Sequence, residues 1–283
     1  MEEKDLKSLN IRTDLVTDII PNVKTNIIEN IYEKDNIKVS NITLDKESAK
    51  LIGKKKGIYT TIFFEDITDK DNYNKVLNIL IKELHKIISK TSLKKDYTSL
   101  IIGLGNIKST PDSLGPRVIE NIIVTKHIYD YYKSLEKGYK ITEAFAPGVK
   151  ATTGIETSDI ISSIIKLEKP DLLFVIDALA SDSIDRVCKT IQITNAGINP
   201  GSGIGNERKE ISYETLNIPV IAIGVPMVVD AVTIVSDTIN YMEKHFSYNI
   251  KNINNPINKL IPSSMQNYLK EKDLNLTSNE KTS

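Results

Sequence analysis

Two aspartates stand where apolar runs give way to loop. Asp112 lies in GLGNIKSTPDSLGP, after the run SLIIGL at residues 99–104, and Asp177 directly follows DLLFVI at residues 171–176. If the two runs are neighbouring strands, both carboxyls project into one crevice at the strand ends, where open α/β sheets place their ligands. Two carboxyls in a shared, partly desolvated site do not readily ionise together, so one stays protonated as an acid while the other activates water. That is enough for hydrolysis without a metal. Each residue also has a bland reading, because Asp after a strand is a common helix N-cap, and Asp112 stands just before a helical pattern opening at Leu114.

The other chemical signals are thinner. Gly103, Gly105 and Asn106 resemble the start of a dinucleotide loop, but Lys108 stands where GxGxxG needs its last glycine, which argues against a nucleotide cofactor. The stretch from Gly197 through Gly201 and Gly203 to Gly205 could cradle an anion on backbone N–H groups, or form a tight loop beside a cleft. His85, His127 and His245 fall in helical patterns with no activated-serine motif nearby, so a Ser-His-Asp arrangement is not supported. Cys188 is the single cysteine; it can form neither an intrachain disulfide nor a Cys-based zinc site and reads as an inert thiol.

The elements that must position these groups alternate. Residues 37–44 and 57–64 read as strands flanking a short helix at residues 46–53 that ends on its glycine. An amphipathic helix runs from Asp69 to about Lys90, with Val76, Leu80, Leu84 and Ile87 at helical spacing. Strands follow at residues 99–104, 141–145, 171–176, 189–194 and 219–224, with helices at 114–132, 156–167 and 228–244 between and after them. Near-continuous Ile/Val/Leu strands imply a sheet covered on both faces, hence a three-layer α/β/α domain with a mostly parallel or mixed central sheet. The first thirty residues force no regular element, and the chain after Tyr248 reads as an irregular tail.

Charge narrows the function classes. The 283 residues carry 37 Lys and Arg against 37 Asp and Glu, so no net field gathers nucleic acid or a membrane surface. MEEKDLKSLN lacks the basic-then-apolar pattern of a secretory signal, and no uninterrupted apolar stretch reaches the ~18 residues of a membrane span. A reducing, cytoplasmic setting is the expectation.

Taken together, IRTDL (11–15), GLGN (103–106), TPDSLGP (110–116), TGIETSDII (153–161), KPDLLFVIDALAS (169–181), TIQITNAGINPGSGIGNERKEISYETL (190–216) and PVIAIGVPMVVDA (219–231) closely resemble the germination proteases of endospore-forming bacteria. The similarity runs from the N-terminus to about Pro262. It implies an atypical aspartic endopeptidase of the spore core that degrades small acid-soluble spore proteins, is made as a self-processing precursor, and assembles as a homotetramer. Position by position, the resemblance puts the catalytic pair on Asp112 and Asp177, the same two acids picked out by the strand ends. It puts the self-processing cut between Asp14 and Leu15, making residues 1–14 a propeptide, 15–248 the protease domain with 15–95 as a candidate subdomain, and 249–283 the tail. Gly201, Gly203 and Gly205 become candidates for a substrate or oxyanion loop.

The resemblance extends distantly to hydrogenase-maturation endopeptidases, which recognise nickel through two acids and a downstream histidine. No histidine occurs between His127 and His245, so a nickel site is disfavoured and neither metal nor cofactor is expected. Asp182 stands after DALAS where the family usually has Arg, Lys150 and Ala151 replace the usual pair after PGV, and Met227 replaces a common Thr. An acid at 182 would raise the Asp177 pKa if the two were close. It also leaves open an inactive relative that binds spore proteins without cutting them.

Overall fold

The aliphatic runs become eight strands: β1 (Ile28–Lys34), β2 (Ile37–Leu44), β3 (Gly57–Phe63), β4 (Thr98–Gly103), β5 (Ile141–Phe145), β6 (Leu172–Ser181), β7 (Thr190–Thr194) and β8 (Val220–Val229). The computed structural model describes residues 13–20, 27–200 and 209–229, with residues 231, 233–235, 238, 241 and 242 beyond them. The strands form one sheet in the order β1-β2-β3-β7-β8-β6-β4-β5. From β1 to β8 the neighbours are antiparallel, and β8, β6, β4 and β5 are mutually parallel. The fold is α/β on a mixed sheet, as the strand pattern implies.

Alternation along the strands sends neighbouring residues to opposite faces. Leu172 of β6 and Ile221 of β8 share one cluster with Val76, Ile79 and Ile87 of the long helix α3 (Lys70–Ile88; α1 and α2 are introduced below). Leu173 and Val220, one residue away, meet Ile161 and Ile165 of a helix at Thr157–Glu168 on the other face. Helices thus cover both sides of the sheet, and each such aliphatic side chain stabilises the fold by roughly 1.5–3 kcal/mol through burial.

Four elements depart from expectation. Residues 28–34, expected to be irregular, form β1, an exposed edge strand with no hydrophobic alternation to betray it. It turns into β2 through Asp35 and Asn36, both at positive φ, the two-residue hairpin geometry that such residues tolerate. The helix expected over 114–132 is two helices, α4 (Leu114–Ile119) and α5 (Lys126–Tyr132). Thr125 interrupts them because its N–H bonds to Thr142 O at 3.0 Å and its hydroxyl accepts from Thr142 N–H at 2.9 Å, tying the chain to β5. β6 runs on through Asp177 to Ser181, since β8 pairs with it as far as Ser181 and Val229 across a register shift at Leu179 and Ala180. β8 therefore takes Val228 and Val229, expected to begin a helix. The described residues from 231 onward are helical and belong to a second unit.

Candidate active site

β4 and β6 pair only as far as Gly103 and Ile176, with Leu104 N–H closing on Ile176 O at 2.8 Å. Asp177 is the next residue of β6. It lies inside the strand, not after its end, and is only 7% exposed. On the side that β4 leaves, however, it is the first residue past the strand pairing, so the expected crevice is present although the strand itself continues. Its Oδ1 accepts the N–H of Ala178 at 2.9 Å.

The chain leaving β4 brings Asp112 back to the same place. Asn106 N–H donates to Asp112 O at 2.9 Å and Asp112 N–H to Ser109 O at 2.9 Å, closing the loop on a 3-10 turn at Thr110–Asp112. Gly105, at φ +115°, permits this: a Cβ there would fall 2.0 Å from Asp112 O and 3.0 Å from its Oδ1. α4 then packs directly on the end of β4, because a Cβ on Gly115 would stand 2.2 Å from Leu104 O. The cap position of α4 is Ser113, not Asp112, and the Ser113 side chain makes no capping bond.

Asp112 and Asp177 line one cleft of about 670 Å³, and Asp14, Lys54 and Gln192 line it with them. The N-terminal segment enters this cleft as if adding a strand to the β6 edge. Asp14 N–H donates to Ala180 O at 2.9 Å, and Ala180 N–H donates to the Asp14 carboxylate at 2.9 Å. Leu15 and Val16 follow, both fully buried. Val16 opens the short helix α1 (Val16–Ile19), and its N–H donates to Gln192 Oε1 at 3.0 Å. The amide of Gln192 faces the other way and donates to Asp14 O at 3.3 Å. Lys54 Nζ donates to Thr13 O at 3.1 Å and to Asp14 O at 3.2 Å.

The short helix read over residues 46–53 is what delivers Lys54. It is α2 (Lys46–Leu51), started by the Asp45 side chain accepting Ser48 N–H. It ends with Gly53 at φ +66°, whose N–H bonds to Lys50 O while Lys54 N–H bonds to Ala49 O. This paired closure is a Schellman turn, and it aims the residue after the glycine away from the helix. Burial pushes the Lys54 ammonium below its ordinary pKa, with Asp14 and Asp18 opposing. Neither Lys54 nor Gln192 was singled out by sequence motif. The available signal for Gln192 was a polar side chain inside the β-branched strand TIQIT, which has to find partners when buried.

Behind the segment, Asp18 is buried and holds both ends of the contact. Its Oδ2 accepts from the Thr13 hydroxyl at 2.8 Å and from Asp182 N–H at 3.4 Å, and its Oδ1 lies 3.5 Å from Arg186 Nε. Asp182 therefore acts on Asp18. Burial and the Asp18 carboxylate push its carboxyl up to about 7, against the pull of Arg186.

The remaining candidates lie elsewhere. Gly201, Gly203 and Gly205 fall outside the described residues, as does His245. His85 sits on α3 and His127 on α5, and neither lines the cleft. Cys188 is exposed with its sulfur 3.6 Å from that of Met227, and Lys150 pairs with Glu156 at 3.2 Å. Among the described residues no three His, Cys, Asp or Glu side chains are grouped as a metal ion would need, and no helix is long and apolar enough to cross a membrane.

The sequence profile of the family described as germination protease matches residues 7–282. The germination protease of Bacillus licheniformis is 45% identical over 250 residues, 86% of this chain and 68% of that protein. That of Priestia megaterium is 43% identical over 279 residues, covering 93% of this chain and 75% of the relative. That of Bacillus velezensis is 45% identical over 285 residues, covering 96% and 77%. With the family matched along nearly the whole chain, this protein belongs to the germination protease family and is a peptidase of spore germination.

Proposed function

We propose that the chain is an aspartic-type endopeptidase that cuts its own bond between Asp14 and Leu15 and then cuts small acid-soluble spore proteins at acid–apolar junctions in the spore core. The observation that carries this reading is the placement of Asp112 and Asp177 on one cleft together with Asp14. One carboxylate takes a proton from water as it adds to the peptide carbonyl while the other is protonated, and the two exchange roles as the tetrahedral intermediate forms and collapses. Collapse returns a proton to the departing amine of Leu15 and regenerates the shared-proton state. Residues 1–14 are thereby a tethered substrate, and a spore protein enters the same cleft once they leave. Homotetramer assembly is proposed from the family resemblance and is read by light scattering as four times the chain mass.

The test is intact mass of the wild type beside Asp112→Asn and Asp177→Asn, before and after mild acidification, followed by incubation with a small acid-soluble spore protein. The wild type loses fourteen residues and cuts the spore protein. Each variant is slowed by about 10²–10⁴-fold, the usual contribution of a positioned acid or base. Variants that process at the wild-type rate would place the chemistry on other residues. A wild type that never processes and leaves the spore protein whole would fit the non-cutting relative instead.

A further inference from the structure

The carbonyl of the bond between Asp14 and Leu15 is gripped by groups unrelated to the two aspartates. Lys54 Nζ and the Gln192 amide converge on Asp14 O, at 3.2 and 3.3 Å. Both donors are held from behind. Lys54 follows the Schellman turn of α2, and Gln192 lies in β7, 6% exposed, with its amide orientation fixed by Val16 N–H on its oxygen. We propose that Lys54 and Gln192 polarise the scissile carbonyl and hold its oxygen as negative charge develops on it.

This inference rests on the hydrolytic reading above and deepens it. As water adds to the Asp14 carbonyl carbon, the C–O π pair moves onto the oxygen, where the ammonium and the amide receive it; one carboxylate takes the water proton. When the C–N bond breaks, that pair returns to the carbonyl, and the Leu15 nitrogen leaves with the bonding electrons and a proton from a carboxyl. The products are the Asp14 carboxyl and the Leu15 amine, with no further reactant. Donors prearranged at the position where charge appears are worth more than in water, because they need no reorganisation during the step. Lys54 also reaches Thr13 O at 3.1 Å, so the alternative to be separated is a plain anchor for the segment.

Four full-length chains distinguish the two: wild type, Lys54→Met, Lys54→Arg and Gln192→Glu, the last keeping an oxygen for Val16 N–H while removing the donor. Processing is followed by intact mass. Segment docking is followed by hydrogen exchange of residues 13–16 in an Asp112→Asn background, with and without Lys54→Met. The expected result is a loss of about 10²–10³-fold in processing for Lys54→Met, the range for removal of one such donor, with a loss in the same direction for Gln192→Glu. Exchange protection of residues 13–16 stays unchanged, and Lys54→Arg restores part of the rate. Undiminished processing by Lys54→Met overturns the assignment. So does slowed processing accompanied by lost protection, which makes Lys54 an anchor. A wild type that does not process, or an Asp112→Asn chain that does, refutes the hydrolytic reading itself, a result distinct from either.

Discussion

Ala180 recognises Asp14 with both of its backbone groups, and its N–H meets the Asp14 carboxylate at 2.9 Å. An acid before the proposed cut thus meets a main-chain donor, which truncating a side chain does not remove. The substrate side can be varied instead. Asp14→Asn keeps an oxygen for Ala180 N–H but loses the charge, and Asp14→Ala loses both. Processing rates are expected in the order Asp, Asn, Ala, with Ala slower than Asp by about 10- to 100-fold, the rate equivalent of a charged hydrogen bond of roughly 1.5–3 kcal/mol. Mass spectrometry over time checks it, and an Ala variant as fast as wild type would remove Ala180 from recognition. At this scale the placing of Asp112 and Asp177 on one cleft was legible in the sequence because acids beside apolar strand runs are conspicuous. Lys54 was not, since it sits in the run KKK, where residue type does not separate it from Lys55 and Lys56 and only the positive-φ turn at Gly53 aims it at the segment.

The placement of Asp112 belongs to an element contact, the seat of α4 on β4. Gly103 and Gly115 meet backbone to backbone, and a Cβ on either would lie 2.2 Å from main-chain oxygen of the other segment. Gly115→Ala must therefore lift α4 and the turn that carries Asp112. With Asp112 in its proposed catalytic role, processing is expected to fall by at least tenfold, since small misplacements of catalytic groups are costly, while circular dichroism retains the folded spectrum. Full activity in a folded Gly115→Ala protein would show that Asp112 has latitude. The strands of the sheet were readable from their apolar runs, but their lengths were not. β6 and β8 extend each other through mutual pairing, a relation between residues some fifty positions apart that neither segment expresses alone. β1 was hidden for the opposite reason. It is held by its ladder to β2 and by Tyr32 donating to Glu83 of α3 at 2.9 Å, not by an apolar face.

Proton balance is a property of the whole folded unit. Asp182 is held near pH 7 by burial and by Asp18, whereas in an unfolded chain it releases its proton near its ordinary 3.8. Between about pH 4 and 7 the folded form keeps a proton that the unfolded form has lost. This contribution to stability is present at low pH and disappears as pH rises through 7. Urea midpoints in an Asp112→Asn background are expected to show Asp182→Asn gaining on its parent at pH 8 relative to pH 5. An equal difference at both pH values would mean that Asp182 titrates normally. The α/β class was legible from strand and helix alternation, yet the closure of residues 13–18 onto β6 and β7 was not, because it joins positions more than 160 apart. That closure also fixes the kinetic order of the proposed self-cut. A bond already seated in the cleft of its own chain meets its catalyst without an encounter, so its half-life is set by the molecule alone and dilution leaves it unchanged. The proposed cutting of a spore protein, by contrast, remains a collision between two molecules.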